Sequence, residues 1–84
     1  MELRLFLNTI DKQNKFSLIV NNIFYQNYDI DLYADNPNRS VDAKSIMAMY
    51  GFDLSKCVYV YINTKEQQVL NKFISDLNEL TKEK

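Results

Sequence analysis

Ser45 precedes five consecutive apolar residues in the segment Ser-Ile-Met-Ala-Met-Tyr, and it is the side chain here with the clearest chemical choice. A hydroxyl in the first turn of a helix can cap backbone N–H groups, or it can carry a phosphate near the positive end of the helix dipole. Other chemistry is poorly supplied. The chain has no histidine, so no imidazole is present to relay protons or phosphoryl groups near neutral pH. The single Cys57 lies in an apolar run without a second thiol, which predicts a buried structural thiol rather than a disulfide or metal ligand. Asp11 could in principle form an acyl phosphate, but one carboxylate on a turn reads more simply as a helix cap. No nucleophile-base set, carboxylate pair, glycine-rich phosphate loop or metal-ligand cluster can be assembled, so neither an enzyme nor a resident metal or cofactor is expected.

The elements that must position Ser45 follow from periodicity. Leu3, Leu5 and Leu7 alternate with Glu2, Arg4 and Phe6, the pattern of a strand with one covered face. Phe16, Ile19, Val20, Ile23 and Phe24 fall on one stripe of a helix predicted from Lys12 to Gln26. Tyr28, Ile30, Leu32 and Ala34 then alternate with polar positions, and the turn-forming Asp35, Asn36, Pro37 and Asn38 lead into a short strand at Arg39 to Val41. Asp42 is the expected N-cap of a second helix of about two turns, with Val41 and Ile46 stapled across it. That helix should end on Gly51, the chain's only glycine, in a left-handed cap. Val58, Val60 and Ile62 mark the last strand. Thr64 and Gln67 suggest a capping box for a final helix striped by Val69, Leu70, Phe73, Ile74, Leu77 and Leu80, with Thr81–Lys84 as a frayed end.

The order β-α-β-β-α-β-α, in one domain spanning 1–84, predicts an α+β fold of two layers: a four-stranded antiparallel sheet covered by three helices on one face, an open-faced β-sandwich. The first two strands should pair in parallel through a right-handed helical crossover. In the second helix, five consecutive apolar residues sweep about 400°, so some must face solvent. Ala43, Ile46, Met47 and Tyr50 share one stripe and Met49 points away; either side could be the core side, and the exposed one would form a docking patch.

With ten basic and eleven acidic residues, the chain carries a formal charge of -1, which offers no positive field for nucleic acid or anionic membranes. No apolar run approaches the roughly 20 residues that cross a bilayer, and Met1–Asp11 lacks the basic start and apolar core of a leader, so a cytoplasmic location is expected.

Arg39 to Met49, RSVDAKSIMAM, resembles the regulatory-serine segment of HPr, the small phosphocarrier of the bacterial phosphoenolpyruvate-dependent sugar phosphotransferase system. Val41, Lys44, Ser45, Ile46 and Met47 carry the likeness, and the collinear order of elements extends it over residues 2 to 80. The resemblance implies the open-faced HPr fold and a phosphorylatable Ser45. It also implies a docking surface at Ile46, Met47 and Tyr50, with Tyr50 where the family often has methionine. The partners implied are an HPr kinase and a catabolite-control transcription factor. The family's phosphocarrier histidine aligns with Lys12 and the arginine that follows it with Asn14; neither forms a comparable phosphoryl intermediate. The chain is therefore similar to the histidine-less, Crh-like branch, which acts in sugar transport regulation and catabolite repression without carrying phosphate.

A second expectation concerns the open sheet face. If Leu3, Ile30, Leu32, Val58, Val60 and Ile62 face the helices, Phe6, Tyr33, Tyr59 and Tyr61 share the other side. Such a face could pair aromatics across strands, form a homodimer, or stack nucleobases. The scarcity of basic residues beside the tyrosines disfavours the last.

Overall fold

A computed structural model of the chain describes residues 1–83. Strands β1 (Glu2–Leu5), β2 (Ile30–Tyr33), β3 (Val41–Asp42) and β4 (Val58–Ile62) form one sheet in the order β1-β4-β2-β3. Every neighbouring pair is antiparallel. Three α-helices, α1 (Ile10–Val20), α2 (Ile46–Met49) and α3 (Gln67–Leu77), complete the α+β fold among the described residues, with single 3-10 turns at Ile23–Tyr25, Pro37–Arg39 and Asn78–Thr81. The arrangement is compatible with an open-faced sandwich. β1 and β2 do run in the same direction, yet they never pair, because β4 lies between them and is antiparallel to both.

Strand alternation decides which side of the sheet is covered. Leu5, Ile30, Leu32, Val58, Val60 and Ile62 are almost fully buried, together with Phe16, Val20, Phe73 and Leu77 from the helices. Tyr33, Tyr59 and Tyr61 take the opposite side, where Tyr33 and Tyr59 stack with ring centroids 5.5 Å apart. Half-buried Phe6 lies beneath the Arg4 guanidinium, which sits 5.5 Å from the ring centroid. The aromatic grouping expected from strand parity is therefore present.

Several local expectations are corrected. The first helix begins earlier and ends sooner than the predicted span from Lys12 to Gln26. Thr9 caps its start by accepting the Lys12 N–H at 3.2 Å, and Asn21 closes it. Asn22 then accepts the Phe24 N–H at 2.9 Å and starts the 3-10 turn, since a short side-chain amide competes with the helical backbone for its own hydrogen bonds. The rotation this introduces takes Ile23 (75% exposed) and Phe24 (41%) off the core stripe and buries Tyr25 completely.

The final helix lacks the predicted capping box. Its N-cap is Glu66, while the Thr64 hydroxyl accepts from the Glu66 N–H at 3.2 Å and Gln67 bonds Asn71 instead. Gly51 is not left-handed. Its N–H donates to the Ala48 carbonyl at 3.1 Å, and an added Cβ would stand 3.3 Å from that same oxygen, so close approach is what glycine supplies there. The C-terminal segment is also tied down further than expected: Leu80 is buried, its carbonyl accepts the Phe6 N–H at 2.8 Å, and Thr81 donates to Asn78 at 2.6 Å. Lys84, at the end of the predicted frayed segment, lies outside the described residues.

Tyr25 is the most instructive core residue. Its ring packs edge-on against Phe73, with centroids 5.9 Å apart, and its hydroxyl donates to the Asp76 carboxylate at 2.7 Å. Burial, then the hydrogen bond and the negative charge of Asp76, push the phenol well above its ordinary value of 10.0. The folded protein thus holds the Tyr25 proton after the unfolded chain has released it. This contribution is complete below pH 10 and declines as pH rises above it. Tyr25→Phe should lower unfolding stability by about 1.5 kcal/mol at neutral pH. In urea titrations repeated above pH 10, the gap between the two proteins should narrow; a constant gap would show that folding does not raise the Tyr25 phenol.

Candidate functional site

Ser45 is the N-cap of α2 rather than its third helical residue. Its hydroxyl accepts the Ala48 N–H at 3.4 Å, and the residue is half-buried. Asp42, the predicted cap, does accept the Lys44 N–H at 2.9 Å, but it does so from the end of β3, and its carbonyl takes the Ser45 N–H at 3.0 Å. Together these bonds form a turn that delays the helix by three residues. α2 is consequently one turn of four residues instead of about two turns, so the dipole argument for a phosphate at Ser45 loses most of its force.

The side of α2 that packs inward is now decided. Met49 is 1% exposed and anchors the turn, whereas Ile46 is 39%, Met47 78% and Tyr50 50% exposed. Ala43, which shared their stripe in the helical reading, is buried because it precedes the helix, its N–H donating to the Ile30 carbonyl at 2.8 Å. Ser45, Ile46, Met47 and Tyr50 thus lie together on one short surface segment.

Lys44 holds that segment in place, a role the sequence did not reveal. Its ammonium donates to the carbonyls of Tyr25 at 2.6 Å and Tyr28 at 2.7 Å, satisfying backbone acceptors that follow the 3-10 turn after α1. Asn21 adds a second tie, donating through Nδ2 to the Ser17 carbonyl at 3.0 Å and the Lys44 carbonyl at 3.2 Å. The acceptors for Lys44 lie 19 and 16 residues upstream, beyond any local spacing signal.

Lys12 and Asn14 occupy the other end of α1. Nine residues at about 1.5 Å each separate Lys12 from Asn21, so the two regions stand roughly 14 Å apart along the helix axis. Lys12 donates to Asn8 at 3.3 Å and lines a shallow cavity of about 390 Å³ with Asp11, Lys15, Glu79, Leu80 and Lys82. Asn14 is exposed and is not part of that lining. Lys15 pairs with Glu79 across the cavity, and its hydrogen bond and charge hold the Glu79 carboxyl below the usual carboxylate range. Lys15 and Glu79 are the one ion pair among the charged lining residues, and the structure does not bring Lys12 and Asn14 together around a common point.

Cys57 is half-buried rather than enclosed. It lines a larger cavity of about 580 Å³ with Ala34, Asp35, Asp53, Lys56 and Tyr59, at the end of the open sheet face. Asp53 is kept below the usual carboxylate range there by hydrogen bonds from the hydroxyl and N–H of Ser55, at 2.6 and 3.1 Å. Among the described residues, no group of three or more histidine, cysteine or acidic side chains could hold a metal ion, and no helix is long and apolar enough to cross a membrane.

No family model, curated protein or solved structure matches this chain.

Lys44→Met removes the ammonium while keeping an apolar stem. The Tyr28 carbonyl then loses its donor while the Tyr25 carbonyl keeps the Tyr28 N–H, and the expected cost is about 2 kcal/mol of stability. Amide hydrogen exchange in residues 43–50 should accelerate more than in α3. Uniform acceleration would mean that Lys44 supports the whole fold and not α2 specifically.

Proposed function

We propose that this chain is a histidine-less, HPr-like regulatory module of the sugar phosphotransferase system, acting in the cytoplasm and recognised by other proteins at α2. The observation that carries this reading is the exposure of Ile46, Met47 and Tyr50 beside Ser45, while Met49 alone anchors the turn. A soluble chain rarely turns contiguous large apolar side chains outward without a use for them. The α+β order of elements and the four-stranded antiparallel sheet also agree with the proposal.

In this reading Ser45 is the phosphorylation position and Ile46, Met47 and Tyr50 form the docking surface. A phosphate would add about -1.5 to -2 charge at the edge of an otherwise apolar patch. It would require breaking only the weak 3.4 Å cap to Ala48, so the change would be read on the surface with little refolding. The partners are an HPr kinase, which modifies Ser45, and a catabolite-control transcription factor, which distinguishes the two forms by charge. Lys12 and Asn14 mark the degenerate phosphocarrier region and have no role in phosphoryl transfer.

Incubation with HPr kinase and ATP should place a single phosphate on Ser45 by mass mapping, and Ser45→Ala should abolish it. Phosphoenolpyruvate with the first enzyme of the system should leave the protein unlabelled. Absence of phosphate at Ser45 with an active kinase would overturn the regulatory reading, and an acid-labile adduct would overturn the loss of the carrier function.

A Met47→Asp variant provides a separate test of the docking surface. Because Met47 is already 78% exposed, its melting temperature should stay near that of the parent, while phosphorylation by the kinase should slow about tenfold, the equivalent of roughly 1.4 kcal/mol of docking energy. An unchanged rate would remove the patch from the recognition surface.

A further inference from the structure

The open sheet face carries a concentration of negative charge, in which Asp42 and Asp53 also serve locally as turn acceptors. Across the strands, Glu2 pairs with Tyr61, Tyr61 with Asp31, and Asp31 with Asp42, so three carboxylates and one tyrosine share a single row. Asp31 and Asp42 are directly opposed, an arrangement that destabilises a sheet. None of the three is in an ion pair among the described residues. The next row is aromatic: Arg4 pairs with Tyr59 and Tyr59 with Tyr33, the two tyrosine rings stacked at 21°. Beyond it the face runs into the cavity lined by Asp35, Asp53 and Lys56. Five carboxylates against Arg4 and Lys56 leave this side with a charge of about -3. The whole chain carries -1, so the remainder of the molecule is net positive.

We propose that this face binds an extended, arginine-bearing segment of a protein partner. The occupant follows from charge complementarity and geometry. The acidic row spans three inter-strand steps, about 14 Å, and alternate side chains of an extended peptide lie about 6.8 Å apart. One cation can meet the Asp31 and Asp42 pair while another reaches Glu2. A guanidinium fits better than an ammonium because it can lie flat on Tyr59 and Tyr61 while bonding a carboxylate. Arg4 already makes such a contact with Phe6 on this surface. A second copy docked face to face would set one acidic surface against another, and nucleic acid would meet the same repulsion. The proposal concerns the face away from α2 and stands independently of the phosphorylation reading.

The test uses the intact chain, labelled with nitrogen-15, titrated with octa-arginine, octa-lysine and octa-glutamate peptides at low and moderate salt. Octa-arginine should bind tightest, weaken as salt rises, and shift amides of β1, β2 and β4. The Asp31→Asn, Asp42→Asn double variant should lose about fivefold in affinity, as expected for two exposed charge contacts. Asp11→Asn with Glu83→Gln, which changes net charge equally on other surfaces, should lose none. The first double variant should also melt no lower than the parent, since it relieves a like-charge pair; this separates lost binding from lost folding. Tyr59→Leu should erase the preference for arginine over lysine. Equal losses in both double variants, shifts centred on the helices, binding of octa-glutamate, or a dimer by sedimentation would each overturn the proposal.

Discussion

Strand β4 is the constraint on which the rest of the molecule depends. It lies between β1 and β2, and it supplies the only ladder β1 has within the sheet. Val58, Val60 and Ile62 reach no solvent, and the residues paired with them on both sides, such as Leu3 and Leu32 beside Val60, face the same core. Residues far apart in sequence must therefore meet before the sheet exists. This non-local closure makes folding slower than for a helical protein of the same length, and it carries β1, the first strand, to the C-terminal turn at Leu80.

The shortness of α2, between edge strand β3 and central strand β4, has a local cause. The Asp42 turn delays its start to the Ser45 cap, leaving one helical turn anchored by Met49. A single turn cannot stabilise itself by propagation. Its position comes instead from Lys44, whose ammonium ties it to two carbonyls of an earlier loop, and from Asn21 at the end of α1. The apolar side chains left over, Ile46, Met47 and Tyr50, are exposed on the segment so held.

The two layers also differ in what they can attract. The sheet's open side is aromatic and acidic, with Tyr33, Tyr59 and Tyr61 beside Glu2, Asp31 and Asp42. A net charge of -1 thus conceals a concentration of negative charge on one face. An ordinary packing rationale accounts for Tyr33 against Tyr59. For Asp42 the turn before α2 supplies a local reason, since its carboxylate accepts the Lys44 N–H; Asp31, directly opposite it, has no such partner among the described residues.

Much of this was legible in the sequence because it rests on periodicity. Alternation in β1, β2 and β4 placed the buried aliphatics and outward tyrosines on their proper sides, and the stripe of the last helix named Val69, Phe73, Leu77 and Leu80 as core, although Leu70 on it is only partly buried and Ile74 is exposed. Where competing local hydrogen bonds decide the outcome, periodicity misleads. Asn21 and Asn22 end α1 before Ile23, and the Asp42 turn moves the cap to Ser45. The absence of an imidazole was determined by composition alone. Only the tertiary structure decided which strand separates β1 from β2, which side of α2 faces solvent, and that Glu2, Asp31 and Asp42 share a row. Each of those depends on pairing between residues distant along the chain, and no spacing within one segment encodes it.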